Sequence, residues 1–136
     1  MSRLLTLSLF CLLPLALLGA DAKDADTESL ETIQERIENE GAVLLDVRNQ
    51  GEWDQGHVEG ALWIALPEFR KLNKEKLTKM LPEKKIVYCY CAAGKRAGIA
   101  ADQLKKMGFD ARKIKAGYQD LIKAGFVESK EPAATP

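Results

Sequence analysis

Three short apolar runs, separated by stretches with helical spacing, restrict this chain more than any other feature. Ala42 to Val47, Ala61 to Leu66 and Ile86 to Tyr90 are continuously or almost continuously apolar. Runs this short suit strands covered on both faces, whereas a sheet with one wet face shows strict alternation. Between Thr27 and Glu40 the residues Leu30, Ile33 and Ile37 recur at helical spacing, with acids crowding the first turn and Gly41 at the end. A short helical piece comes next at Glu52 to Gln55. A longer helix is expected over Pro67 to Met80, with Phe69, Leu72 and Leu77 on its apolar side and Pro82 as its stop. Ala97, Ala100, Ala101, Leu104 and Met107 make one small-residue helix face that Gly108 closes. Ala111 to Lys115 reads as a weaker fourth strand and Gln119 to Ala124 as a last helix. This alternation predicts an α/β domain: a small, mostly parallel sheet flanked by helices on both faces.

The ends of the chain stand apart from that pattern. Met1-Ser2-Arg3 precedes an apolar run from Leu4 to Leu18, broken only by Thr6, Ser8 and Pro14. The run falls short of the roughly 20 residues of a bilayer span. It fits a secretory signal, with cleavage expected after Ala22 in Ala20-Asp21-Ala22, or after Ala20. The expected organisation is a signal peptide over 1–22, a tether over 23–26, a folded domain over 27–127 and a disordered tail over 128–136. Such a chain is expected to be exported, to leave the membrane when the leader is cut and, given a Gram-negative source, to work in the periplasm; a retained membrane anchor is the lesser alternative.

Without the leader, the cysteines are Cys89 and Cys91. Residues i and i+2 of a strand lie roughly 6.6 Å apart, near the upper limit for a disulfide, so they do not read as a structural bridge. One His and three Cys in all are too few for a zinc ribbon or finger, and neither a metal nor a cofactor is expected. With 20 basic and 20 acidic residues the formal net charge is zero. Bulk nucleic-acid binding needs a basic surplus and is not expected. The balance hides an asymmetry: residues 20–69 carry 13 acids against 3 bases, and residues 70–115 carry 4 acids against 14 bases. A basic second half could steer a small anion toward a site there.

In open parallel sheets the ligand site lies beyond the carboxyl ends of the strands, which directs attention to the segment after Tyr90. Residues 86 to 98 read Ile-Val-Tyr-Cys-Tyr-Cys-Ala-Ala-Gly-Lys-Arg-Ala-Gly. A buried strand runs into Cys91, then a tight loop of small residues, then a helix. Small residues let successive N–H groups point inward, and the positive end of the helix stands behind them. Lys95 and Arg96 add two cations at the rim. All of these favour a thiolate, so Cys91 is the candidate nucleophile.

That loop resembles the active-site loop of rhodaneses, sulfurtransferases that carry sulfur as a cysteine persulfide. Leu45-Asp46-Val47-Arg48, Glu52-Trp53 and Gly56-His57-Val58-Glu59-Gly60-Ala61 resemble three further signatures of the same family. The resemblance runs over about residues 27 to 126 and is greatest to the small, exported phage-shock-protein-E type. It implies that Cys91 attacks the outer sulfur of thiosulfate and that cyanide or a thiol then removes the sulfur. It also implies that Ala92, Ala93, Gly94, Lys95 and Arg96 hold the persulfide and the departing oxyanion. The family's turn usually has Pro where Glu59 stands and a polar residue where Trp63 stands. Its late Gly-Gly pair is here Ala116-Gly117.

A cysteine phosphatase shares the fold in one branch, but that branch places five residues between Cys and Arg. Here four separate Cys91 from Arg96, and six separate Cys89 from Arg96. A non-catalytic binding or sulfur-carrier module is the main alternative, although Cys91 and its loop are retained. Cys89 reads as a small apolar residue of a buried strand, with resolution of the persulfide as its sharper role. His57 reads as structural. Asp46 and Arg48 read as a salt link with Glu52, and Arg48 also stands as an accessory residue near the pocket mouth. Tyr88, Tyr90, Trp53 and Trp63 read as core or pocket wall.

Overall fold

The computed structural model describes residues 28–133. The expected leader and tether lie outside the described residues, as do the last three positions of the expected tail. Four strands form one parallel sheet: β1 (Ala42–Asp46), β3 (Leu62–Trp63), β4 (Ile86–Tyr90) and β5 (Ala111–Lys113), in the order β3-β1-β4-β5. The central pair runs in register from Ala42 beside Ile86 to Asp46 beside Tyr90, so both strands end at the same level. The chain therefore leaves Asp46 and Tyr90 side by side, and the Val47 N–H still donates to the Tyr90 carbonyl at 3.2 Å.

Alternation along β4 sends Val87 and Cys89 to one face and Tyr88 and Tyr90 to the other. The first face packs on α3 (Leu66–Phe69), α4 (Lys74–Met80) and α5 (Lys95–Lys106) through Phe69, Leu77, Ala97 and Leu104. The second packs on α1 (Leu30–Glu38) and α6 (Tyr118–Lys123) through Ile33, Tyr118 and Leu121. Each large side chain buried this way contributes about 1.5–3 kcal/mol. Covered faces explain why the central strands read as nearly unbroken apolar runs, with buried Asp46 at the end of β1 as the exception. The expected α/β class and its flanking helices are what the molecule has.

Capping residues set the helix limits. Ser29 caps α1 by accepting from the Thr32 N–H. Asn49 and Glu52 form a reciprocal capping box on α2 (Gln50–Gln55). The single helix expected over Pro67 to Met80 is two. Pro67 stands at the start of α3, while Asn73 accepts from the Lys76 N–H and starts α4 anew. Pro67 also draws Leu66 out of the expected second strand, which shrinks to Leu62–Trp63, although the Leu66 N–H still donates to Val47. The fourth strand ends at Lys113 rather than Lys115.

The tail holds the largest departure from expectation. Glu128–Ser129 is a strand, β6, paired antiparallel with β2 (His57–Val58), so this part of the tail is ordered. Neither two-residue strand has a periodic signal; Phe126, just before β6, is buried in the core. Among the described residues, no helix is long and apolar enough to cross a membrane.

Candidate active site

The site assembles where β1 and β4 end. Cys91 comes directly after β4, is 1 % exposed, and its Sγ accepts from the Gly94 N–H at 3.0 Å and the Ala97 N–H at 3.4 Å. Gly94 is the N-cap of the twelve-residue helix α5, and it offers no side chain to cap the helix. The Cys91 sulfur occupies that role. It sits at the positive end of the helix, where negative charge is stabilised. Gly94 adopts φ 88°, a left-handed conformation that lets the loop curl back, and an added Cβ would lie 3.1 Å from the Lys115 carbonyl.

The other loop residues divide. Ala92, Ala93 and Lys95 are exposed at the rim. Arg96 turns to Glu52, its two Nη atoms each donating at 2.8 Å to one carboxylate oxygen. This fork holds the Glu52 carboxyl at about 2, with Arg96 as the first cause and burial opposing it. Glu52 thus braces the loop after Cys91 to α2 while capping that helix. The expected link of Glu52 with Asp46 and Arg48 is corrected in this respect. Asp46 and Arg48 do pair, at 2.7 Å with both side chains buried, but the bonding partner of Glu52 is Arg96. The Nε and Nη2 of Arg48 donate to Asp46 and to the Gly56 carbonyl, and Glu52 acts on Arg48 only as a nearby charge.

Arg48 lies with its guanidinium 4.0 Å from the Tyr118 ring centroid, and it lines a cavity beside the loop. This cavity measures about 280 Å³, with Glu52, Gln55, Ala92, Tyr118 and Glu128 among its other walls. Sequence pattern places Glu128 in a disordered tail. It reaches the cavity because β6 pairs with β2, and it accepts from the Tyr118 hydroxyl at 2.8 Å. No sequence signal announces it.

Gly117, singled out in the sequence as half of the late Gly-Gly pair, gains its physical reason in three dimensions. Its φ and ψ are −79° and 169°, extended and open to any residue. A Cβ there would overlap the Ala92 carbonyl oxygen and approach its carbon to 2.8 Å. The next residue, Tyr118, donates its N–H to the Cys91 carbonyl at 2.9 Å. This crossing strap braces the loop from behind.

Cys89 is fully buried in the same apolar cluster as Cys91. Burial is the first cause, and the charge of Cys91 the second, that pushes its thiol up to about 12. It stays neutral near pH 7 and has the character of a packing residue. His57 stacks on Trp53 with ring centroids 3.5 Å apart, and its Nδ1–H donates to the Trp53 carbonyl at 3.1 Å. That is a structural place, away from the sulfur's hydrogen bonds. Trp63 donates its indole N–H to the Arg48 carbonyl at 3.0 Å, and Tyr90 accepts from the Val58 N–H.

A parallel α/β sheet delivers a buried cysteine to the N-terminus of a helix, and that arrangement defines the site. Residues 29–124 match the family model described as the rhodanese-like domain, and the chain belongs to that family of sulfur-transfer proteins. It is 33 % identical over 82 residues to a Bacillus subtilis protein named "Putative sulfur carrier protein YrkF", covering 60 % of this chain and 42 % of the relative. It is 37 % identical over 82 residues to the tRNA uridine(34) hydroxylase of Bacillus licheniformis, covering 56 % of this chain and 24 % of that one. The matched segment thus spans less than half the length of either relative. Among solved structures, a rhodanese-related protein of Thermoplasma volcanium superposes with TM-score 0.64 at 25 % identity, covering 75 % of this chain and 95 % of the other. A rhodanese with anions from E. coli gives TM-score 0.54 at 30 % identity, covering 66 % and 99 %.

Proposed function

We propose that this protein is a sulfurtransferase that moves sulfane sulfur from thiosulfate, or a similar anionic donor, to cyanide or a thiol. The observation that carries the reading is the Cys91 sulfur accepting two N–H groups at the start of α5. The Cys91 thiolate attacks the outer sulfur of thiosulfate, the sulfur–sulfur bond of the donor breaks, and sulfite leaves with the electron pair. The outer sulfur remains on Cys91 as a persulfide. An acceptor then attacks that sulfur and Sγ departs as a thiolate. The same N–H groups stabilise the sulfur's charge at the start and at the end of the cycle.

Exposed Lys95 and the basic second half of the chain support an anionic donor, as does the likeness to a rhodanese with anions. Arg96 serves differently from a free anion ligand, since its fork is already engaged by Glu52. The apolar leader supports export and a periplasmic setting of the phage-shock-protein-E type. The deciding experiment is thiocyanate formation from thiosulfate and cyanide by the cleaved protein and its Cys91→Ala and Cys89→Ala variants. Turnover is expected to vanish with Cys91→Ala and to survive Cys89→Ala. A freshly reduced protein with no turnover would refute thiosulfate sulfurtransferase activity.

A second reading, a non-enzymatic sulfur carrier, is favoured by the relative of that name. It predicts one sulfur loaded per chain, detected as a mass gain, with no multiple turnover.

A further inference from the structure

The cavity beside Ala92 has a charge balance that bears on which acceptor can enter. Of its charged wall residues, Arg48 is neutralised by Asp46 and Glu52 by Arg96. Glu128 is held by a neutral phenol, the Tyr118 hydroxyl. Its carboxylate therefore leaves the wall with a negative charge that its bonding partner does not cancel. Its position is set by β6 and by Gly56, where an added Cβ would lie 2.6 Å from the Tyr118 hydroxyl and 3.1 Å from the Glu128 Cδ. Gly56 thus keeps the space in which Tyr118 and Glu128 meet. The cavity opens against the residue next after the nucleophile, and its volume suits a small molecule.

We propose that Glu128 is a specificity-determining residue, selecting acceptor thiols that carry an ammonium group over those that carry a carboxylate. This inference rests on the persulfide reading above. In the step concerned, the acceptor thiolate attacks the outer sulfur of the Cys91–S–SH group. A bond forms between the two, the Sγ–S bond breaks, Sγ keeps the electron pair, and the acceptor leaves as R–S–SH. An ammonium on the acceptor is drawn to the Glu128 carboxylate, and a carboxylate is repelled. Glu128 is exposed, and one charge at about 4 Å in water changes a rate about fivefold at low salt, less as ionic strength rises.

The test loads the protein with thiosulfate, removes sulfite, and measures second-order discharge by cysteamine, 2-mercaptoethanol and 3-mercaptopropionate. The intrinsic reactivity of each thiol cancels when the same thiol is compared across proteins. In Glu128→Gln, which keeps an acceptor for Tyr118, the cysteamine to 3-mercaptopropionate rate ratio is expected to fall about tenfold. In Glu128→Lys it is expected to fall further, and both effects should shrink at high salt. An unchanged ratio in both variants would overturn the proposal while leaving the persulfide reading intact. An equal loss for all three thiols would mean that β6 had merely been displaced, and would overturn it as well. A protein that gains no sulfur mass from thiosulfate would overturn both readings together.

Discussion

Gly117→Ala isolates the strap that supports the loop after Cys91. The backbone at Gly117 is extended, so alanine meets no conformational strain, and the stiffer unfolded chain should stabilise by about 0.4–1 kcal/mol. Against that, the new Cβ overlaps the Ala92 carbonyl oxygen, lies 2.8 Å from its carbon and 3.5 Å from the Ala93 nitrogen. Both partners are backbone, so no side chain can rotate away. Overpacking of this kind costs about 1–3 kcal/mol, for a net loss of about 1–2 kcal/mol. Melting should fall by about 4–8 °C for each kcal/mol in a domain of this size. Activity should fall further. The strap's next N–H holds the Cys91 carbonyl, so relief of the overlap moves the sulfur relative to the Gly94 and Ala97 N–H groups. A displacement of roughly 1 Å at a reacting atom costs on the order of 100-fold in rate. The assay is persulfide formation with thiosulfate, tracked by mass, beside a calorimetric melt. Gly41→Ala serves as the control, because its Cβ would meet the Arg36 carbonyl at an ordinary 3.5 Å. A Gly117→Ala protein with the parent's melting point and loading rate would refute the strap.

Three further substitutions probe the site. Glu52→Gln should cost about 1–2 kcal/mol at pH 7 after allowance for solvent screening of the partly exposed pair with Arg96. The Glu52 carboxyl is held low, so its contribution is present above the ordinary carboxylate range and is lost as pH falls toward about 2. Denaturation of parent and variant should therefore converge below roughly pH 4, and a gap that stays constant down to pH 2 would contradict the pairing. Asp46→Asn should cost about 3–5 kcal/mol, because it strands the buried Arg48 charge; urea denaturation reads this directly. Cys89→Ala should lower stability by about 1 kcal/mol and leave the pH dependence of Cys91 loading unchanged, whereas a changed profile would give Cys89 a chemical part.

What the sequence determined by itself was local. Almost continuous apolar runs at Ala42 and Ile86 marked strands covered on both faces, because a buried strand has no wet side to favour alternating polar residues. The small-residue loop after Cys91 marked the candidate site, because a tight curl before a helix aims N–H groups at the sulfur. Boundaries were less legible where two local signals competed, as at Pro67, which both closes a strand and starts a helix. Tertiary structure decided every relation between segments far apart in the chain. Arg96 stands 44 residues from Glu52, and which acid it would pair with depended on α2 lying against the loop. Gly117 was legible only as half of the late Gly-Gly pair that the family resemblance supplies, and its physical reason appears where the chain crosses behind Ala92. Glu128 sat in a polar tail without periodicity, and only the pairing of β6 with β2 carried it to the cavity. A two-residue strand carries too little pattern to be read from sequence, because its stability comes from the neighbours it meets.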